Sequence, residues 1–107
     1  QPVHRLDQDT SGCLLLARHA KALKRFGAAF ESGLVSKLYW GVIAGVLAQE
    51  HGTIELALTK TSSAMDGWRI VPSPQGKRAV THWRQVAVVG GKTLVEFRPE
   101  TGRTHQI

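Results

Sequence analysis

Between residues 35 and 98 the chain runs through β-branched and aromatic stretches, each ended by glycine or proline. That punctuation constrains the fold more than any other feature, because strands that follow one another without helical crossovers are joined by turns and pair antiparallel. Residues 35–47 read as a long strand bent near Gly45, and residues 52–58 as a half-buried strand with Ile54, Leu56 and Leu58 on one face. Residues 68–71 read as a short strand ended by Pro72 and Pro74. Residues 78–89 and 93–98 form a hairpin closed at Gly90-Gly91, a strong turn signal.

Upstream the texture differs. Residues 1–12 are polar and turn-rich, ending at Gly12. The apolar run Cys13-Leu14-Leu15-Leu16-Ala17, bounded by Gly12 and Arg18, reads as a buried strand. From His19 to Ser32 the spacing is helical, with Ala22, Phe26, Ala29 and Phe30 on one face and Lys21, Lys24 and Arg25 mostly on the other. Gly33 suits a helix C-cap. Gly27 inside the helix costs about 1 kcal/mol relative to alanine, which points to a close packing contact there. Strands outnumber helices, so the class is α+β with a mainly antiparallel sheet.

A chain of 107 residues, 42% hydrophobic and 21% charged, is the size and composition of one ordinary globular domain. No apolar stretch approaches the roughly 18 residues of a membrane-crossing helix. One cysteine, Cys13, excludes an internal disulfide framework and a cysteine-rich zinc site, and fits a reducing compartment. Fourteen Lys and Arg against eight Asp and Glu give a net charge of +6, a balance that favours a nucleic-acid partner. The excess is spread along the chain rather than gathered in a basic tail.

Two polar clusters could carry chemistry. In His4-Arg5-Leu6-Asp7-Gln8-Asp9-Thr10-Ser11-Gly12, an extended backbone would turn Arg5, Asp7 and Asp9 to one side. The plain reading is a surface loop with a glycine exit. The sharper one is a carboxylate held ionised among cations, as a nucleophile requires. The second cluster, residues 101–106, offers Arg103, and its plain reading is a turn into a helix with Thr101 as N-cap. Spacing alone does not join Arg103 to Asp7. Other chemistries fare worse. The five histidines lie far apart without metal-ligand spacing, and there is no phosphate-binding glycine loop and no GxSxG elbow around Ser11. Asp7 and Asp9 are too close in sequence to flank a sugar as a glycosidase pair.

Four blocks, in order, resemble one family. His4-Arg5-Leu6-Asp7-Gln8-Asp9-Thr10-Ser11-Gly12 followed by Leu14-Leu15-Leu16-Ala17 is similar to the HRLDxxTSGxLLLA signature of RluA-type pseudouridine synthases. Lys37-Leu38-Tyr39 with Val42 and Gly45 resembles the family's KxYxAxVxG strand, although Gly41 stands where a small residue such as alanine is usual. Residues 76–81 resemble its GKxAxT stretch, and Pro99-Glu100-Thr101-Gly102-Arg103-Thr104-His105-Gln106-Ile107 its PxTGRTHQIRVH segment. The resemblance implies a mainly antiparallel mixed sheet flanked by helices, with these residues as the central part of a single catalytic domain. The family's preceding NKPxG-like segment and following RVHL and GDxxYG-like segments lie outside the sequence, so these 107 residues alone are expected to be inactive or poorly stable.

The same resemblance implies isomerisation of uridine to pseudouridine in ribosomal or transfer RNA, with the target base flipped into a cleft. Asp7 matches the essential catalytic aspartate, acting either at the ribose C1′ or through a glycal-like route. Tyr39 matches the tyrosine that stacks on the base and is proposed to help remove the C5 proton. Arg103 matches the arginine that ion-pairs with the aspartate, and Arg5 the one that contacts RNA around the flipped nucleotide. Thr10, Ser11 and Gly12 would shape the loop presenting Asp7. Lys37 reads as a solvated or RNA-facing lysine, and Trp40, Trp68 and Trp83 as core residues in preference to RNA-stacking ones. No metal or redox cofactor is expected, nor a membrane, and the full-length protein is expected to be a cytoplasmic monomer. The alternative is an RNA-binding module that keeps the fold without turnover.

Overall fold

Gly90 and Gly91 take φ of 58° and 71°. A two-residue type I′ hairpin turn demands this left-handed backbone, and glycine adopts it without strain. The computed structural model describes residues 1–107. Its elements are α1 (Ala20–Glu31), β1 (Tyr39–Ala44), β2 (His51–Ser63), β3 (Gly67–Pro72), β4 (Lys77–Val89) and β5 (Lys92–Pro99). The glycine turn joins β4 to β5 at the heart of a five-stranded sheet ordered β1-β5-β4-β2-β3. Every strand pair is antiparallel, so the mixed sheet implied by the resemblance is not found. The chain has one helix rather than several. Contacts gather into two units, Gln1–Ser36 with α1 and Lys37–Ile107 with the sheet.

Cross-strand pairs set what lies over what. On one face, Tyr39 of β1, Phe97 of β5, Trp83 of β4 and Gly52 of β2 follow one another in register. The rings occupy the volume that side chains on neighbouring glycines would need. A Cβ at Gly52 would come within 2.9 Å of the Trp83 indole, and one at Gly41 within 3.1 Å of Phe97. Gly41 therefore replaces the family's small residue where Phe97 fills the space, an aromatic covering a strand glycine. The buried residues of the sheet lie on its two central strands: Ala79, Val80 and Thr81 on β4, and Thr93, Val95 and Glu96 on β5. A bulge between Gln85 and Ala87 leaves Val86 as an extra residue in β4.

Several expectations are corrected. The run Cys13–Ala17 makes only an isolated bridge, Leu16 to Pro2, and Leu14, Leu15 and Leu16 are exposed; Ala17 alone is buried. Residues 1–4 bond to one edge of the run, through Val3 and His4 to Leu15 and Gln1 to Ala17, and that pairing does not extend into a ladder that would bury it on both faces. The long strand over residues 35–47 shortens to β1, because β5 begins to pair at Tyr39 and Gly45 turns away at φ 92°. Conversely, β2 extends to Ser63, its polar second half paired with β3. The helix is capped as read: Ser32, Gly33 and Leu34 donate to the carbonyls of Ala28, Phe30 and Ala29 at 2.9, 3.3 and 2.9 Å, with Gly33 left-handed at φ 73°. Yet no residue of α1 is fully buried, and nothing lies within 4 Å of a Cβ built on Gly27, so that glycine marks no packing contact.

Gly76 precedes β4 where its backbone crosses β2: a Cβ there would stand 2.5 Å from the Leu58 carbonyl carbon. Backbone cannot move aside as a side chain can. Gly76→Ala is therefore expected to destabilise the protein by about 1–3 kcal/mol, read as a lower urea midpoint at unchanged slope. An unchanged midpoint would contradict this packing.

Candidate active site

The loop bearing Asp7 is fastened at its root. Val3 donates its backbone N–H to the Leu15 carbonyl at 3.0 Å, and Ala17 donates to Gln1 at 2.8 Å. Between these bonds the His4 ring acts as a pin. Its Nε2 accepts the Leu15 backbone N–H at 3.0 Å, which requires a bare nitrogen there, so Nδ1 carries the hydrogen and donates to the Arg5 carbonyl at 3.3 Å. The ring also stacks on Phe30 of α1, centroids 4.8 Å apart. Sequence reading gave His4 no role of its own; only the fold reveals its partners.

Beyond the pin, the Thr10 backbone N–H closes a turn onto the Asp7 carbonyl at 3.0 Å. Ser11 follows, and the chain leaves through Gly12 at φ 142°, the glycine exit expected from sequence. Asp7 is half-buried, with Oδ1 3.8 Å from the Arg5 guanidinium. The structure thus brings Arg5 and Asp7 together at the start of the Asp7–Thr10 turn.

Tyr39 opens β1 in the sheet unit, opposite Phe97. The next residue, Trp40, faces the other side and donates its indole N–H to Glu96 at 3.4 Å. Glu96 is 7% exposed and also receives Arg98 at 3.1 Å and Arg84 at 3.2 Å. Burial alone would raise this carboxyl's pKa; hydrogen bonds from Arg98, Trp40 and Arg84 outweigh it and hold the group below its ordinary value. Edge strand β1 is thereby fastened from behind while Tyr39 lies on the opposite face. Lys37, two residues earlier, is partly desolvated, which lowers its pKa. Its Nζ stands 2.9 Å from where a Cβ on Gly102 would be, so the lysine lies against the Arg103 loop rather than fully in solvent.

No helix follows Thr101, against the plain reading of that cluster. Residues 101–107 instead fold back along β4, where Arg103 donates through Nε to the Arg78 carbonyl at 2.9 Å. Arg78 is itself held by Glu55 at 2.6 Å, and that bond with the Glu55 charge raises its pKa. Of the three tryptophans expected in the core, only Trp83 is even half-buried. Trp40 is 65% exposed, and Trp68, 47% exposed, stacks on His105 with Lys60 over its ring. No three His, Cys, Asp or Glu side chains gather as a metal site. An open hollow along α1, lined by residues such as His19, Arg25 and Phe26, includes none of the expected site residues.

The family of RNA pseudouridylate synthases, compared as a whole, matches residues 1–107. The chain belongs to that family. An uncharacterized RNA pseudouridine synthase of Zymomonas mobilis is 57% identical over 105 residues, covering 98% of this chain and 48% of that protein. Ribosomal large subunit pseudouridine synthase D of the same organism is 36% identical over 105 residues, covering 98% of this chain and 33% of its own length. Among solved structures, human RNA pseudouridylate synthase domain containing 1 superposes with a TM-score of 0.82 at 27% identity, over 99% of this chain and 47% of that one. The chain therefore spans a third to a half of these relatives, and the fold shared over that span is that of a pseudouridylate synthase domain.

The lowered Glu96 pKa fixes the sign of a pH effect. Stability contributed by the ionised carboxylate is fully present above the ordinary glutamate range and is lost as pH falls through the folded-state value. Glu96→Gln is expected to lower the melting temperature at neutral pH and to flatten its decline in acid. A variant with the wild-type acid profile would exclude Glu96 as a source of that decline.

Proposed function

We propose that the protein isomerises uridine to pseudouridine in structured RNA, with Asp7 as the essential carboxylate. The observation that carries this reading is the family match along all 107 residues, with Asp7 in a pinned turn beside Arg5. The supporting chemistry is general. A base within a helix is out of reach, so the target nucleotide flips out, and Tyr39 stacking on it returns about 1–3 kcal/mol. Arg5 offers a planar cation to a neighbouring phosphate or base. Arg103 supplies the cation that keeps the Asp7 carboxylate charged once water has left. Asp7 then serves in breaking the glycosidic bond and in rejoining C1′ to C5, whether by attack on C1′ or through a glycal.

On this reading the 107 residues are the central part of one catalytic domain, and Thr10, Ser11 and Gly12 shape the substrate-facing loop. Ribosomal RNA is the favoured substrate class, since relatives from Zymomonas mobilis and Buchnera aphidicola carry ribosomal large subunit names; transfer RNA is the alternative. No helix is long and apolar enough to cross a membrane, and we place the protein in the cytoplasm as a monomer.

Tritium release from RNA labelled at uridine C5 tests the activity. The intact protein is expected to release label and Asp7→Asn to fall to background. Undiminished release by Asp7→Asn would remove the catalytic assignment, and no release from any cellular RNA would favour a binding module instead. RNA affinity is also expected to fall steeply with salt, because phosphate contacts by Lys and Arg release counterions. A flat dependence would argue against backbone contacts.

A further inference from the structure

One side chain of the Arg103 loop has a bonding pattern that the proposed chemistry does not use. Gln106 is half-buried, and both ends of its amide are doubly engaged. Its Oε1 accepts the Thr101 hydroxyl at 2.8 Å and the Arg103 backbone N–H at 2.9 Å. Its Nε2 donates to the Val80 carbonyl and to the Thr81 hydroxyl, both at 2.9 Å. A side-chain amide has two acceptor positions and two hydrogens, so this one is saturated. Its orientation is also forced. The Arg103 N–H can only donate and the Val80 carbonyl can only accept, so a turned amide would set like groups against each other at both ends.

The two anchors on the Nε2 side, Val80 and Thr81, are buried in β4. Thr101 repeats the attachment, since its hydroxyl accepts the Val80 N–H at 3.0 Å while donating to Gln106. The backbone of Arg103 is thus tied through one amide to the most buried strand pair. From that fixed point its guanidinium reaches back to the Arg78 carbonyl. Asparagine would be a methylene too short for this span. Glutamate would keep the acceptor for Arg103 but lose both donations and set an oxygen against the Val80 carbonyl.

We propose that Gln106 is a positioning residue, tethering the Arg103 backbone to β4 and so setting the direction of the Arg103 guanidinium. The proposal rests on the reading that gives Arg103 a part in pseudouridine formation. With all four amide bonds engaged inside the protein, Gln106 acts through Arg103 rather than on the RNA.

The test uses the intact protein and tritium release, with Gln106→Glu, Thr101→Val, Arg103→Ala and the Gln106→Glu/Arg103→Ala double variant. Misplacing a group that acts in the transition state lowers kcat more than binding, so Gln106→Glu is expected to lose roughly 10–100-fold in kcat with KM within about threefold. Thr101→Val, which removes one hydroxyl only, is expected to lose less in the same direction. On the Arg103→Ala background, Gln106→Glu is expected to cost no more than about threefold, since residues acting as a unit are not additive. By NMR, the Arg103 Nε–H is expected to be protected from exchange in the wild type and exposed in both tether variants. Wild-type kcat in Gln106→Glu, equal losses on both backgrounds, or an unchanged Nε–H resonance overturns the proposal. Full turnover by Arg103→Ala overturns it at its foundation in the catalytic reading, a failure separable from that of the tether because the Nε–H resonance reports the tether without turnover.

Discussion

A type I′ turn at Gly90-Gly91 leaves no freedom in how β4 meets β5: Lys92 lies opposite Val89, and the pairing from there to Pro99 follows, with one extra residue absorbed at Val86. Side chains alternate with period two, so a slip of one residue would send every side chain of β5 to the other face. Trp83 would leave Phe97, Phe97 would leave Tyr39, and the Glu96 carboxylate would emerge where Tyr39 now lies. The buried residues of the sheet depend on the same register, as does the strip of β4 backbone on which residues 101–107 fold back. Two glycines thus set the pairing of the thirteen residues of β4 with the eight of β5.

Charge plays a different part from the one its total suggests. A net charge of +6 invites the idea of a surface given over to phosphate. Several of the cations are engaged within the sheet unit instead: Arg84 and Arg98 hold Glu96, and Arg78 bridges Glu55 and Glu100. The Glu96 cluster shows why that arrangement is stable. A carboxylate removed from water is costly unless its oxygens are filled, and here two guanidinium groups and an indole N–H fill them. Electrostatics in this chain is as much about fixing strands to one another as about attracting a polyanion.

The hairpin, the helix and its C-terminal glycine were legible in the sequence because each is a local matter, set by turn chemistry or by periodicity. What failed depended on neighbours. The leucines at 14–16 read as buried on composition alone, yet the run makes one isolated bridge and all three are exposed. The polar half of β2, Thr59 to Ser63, carries no hydrophobic alternation and becomes strand only because β3 turns back onto it. At the site, the motif blocks named Asp7, Tyr39 and Arg103 because residue types in fixed order are visible in one dimension. His4 and Gln106 stand inside those blocks, but their roles come from partners eleven and twenty-six residues away.

The meeting of Gly52 and Trp83 has a consequence for how this sheet can change over time. The indole lies where any other residue at position 52 would put its Cβ. Neither position can drift alone: a side chain at 52 must displace the ring, and a smaller residue at 83 uncovers the backbone of β2. The two positions, thirty-one apart in sequence but paired across two strands, form one heritable unit. In a population of related chains they should vary together or not at all.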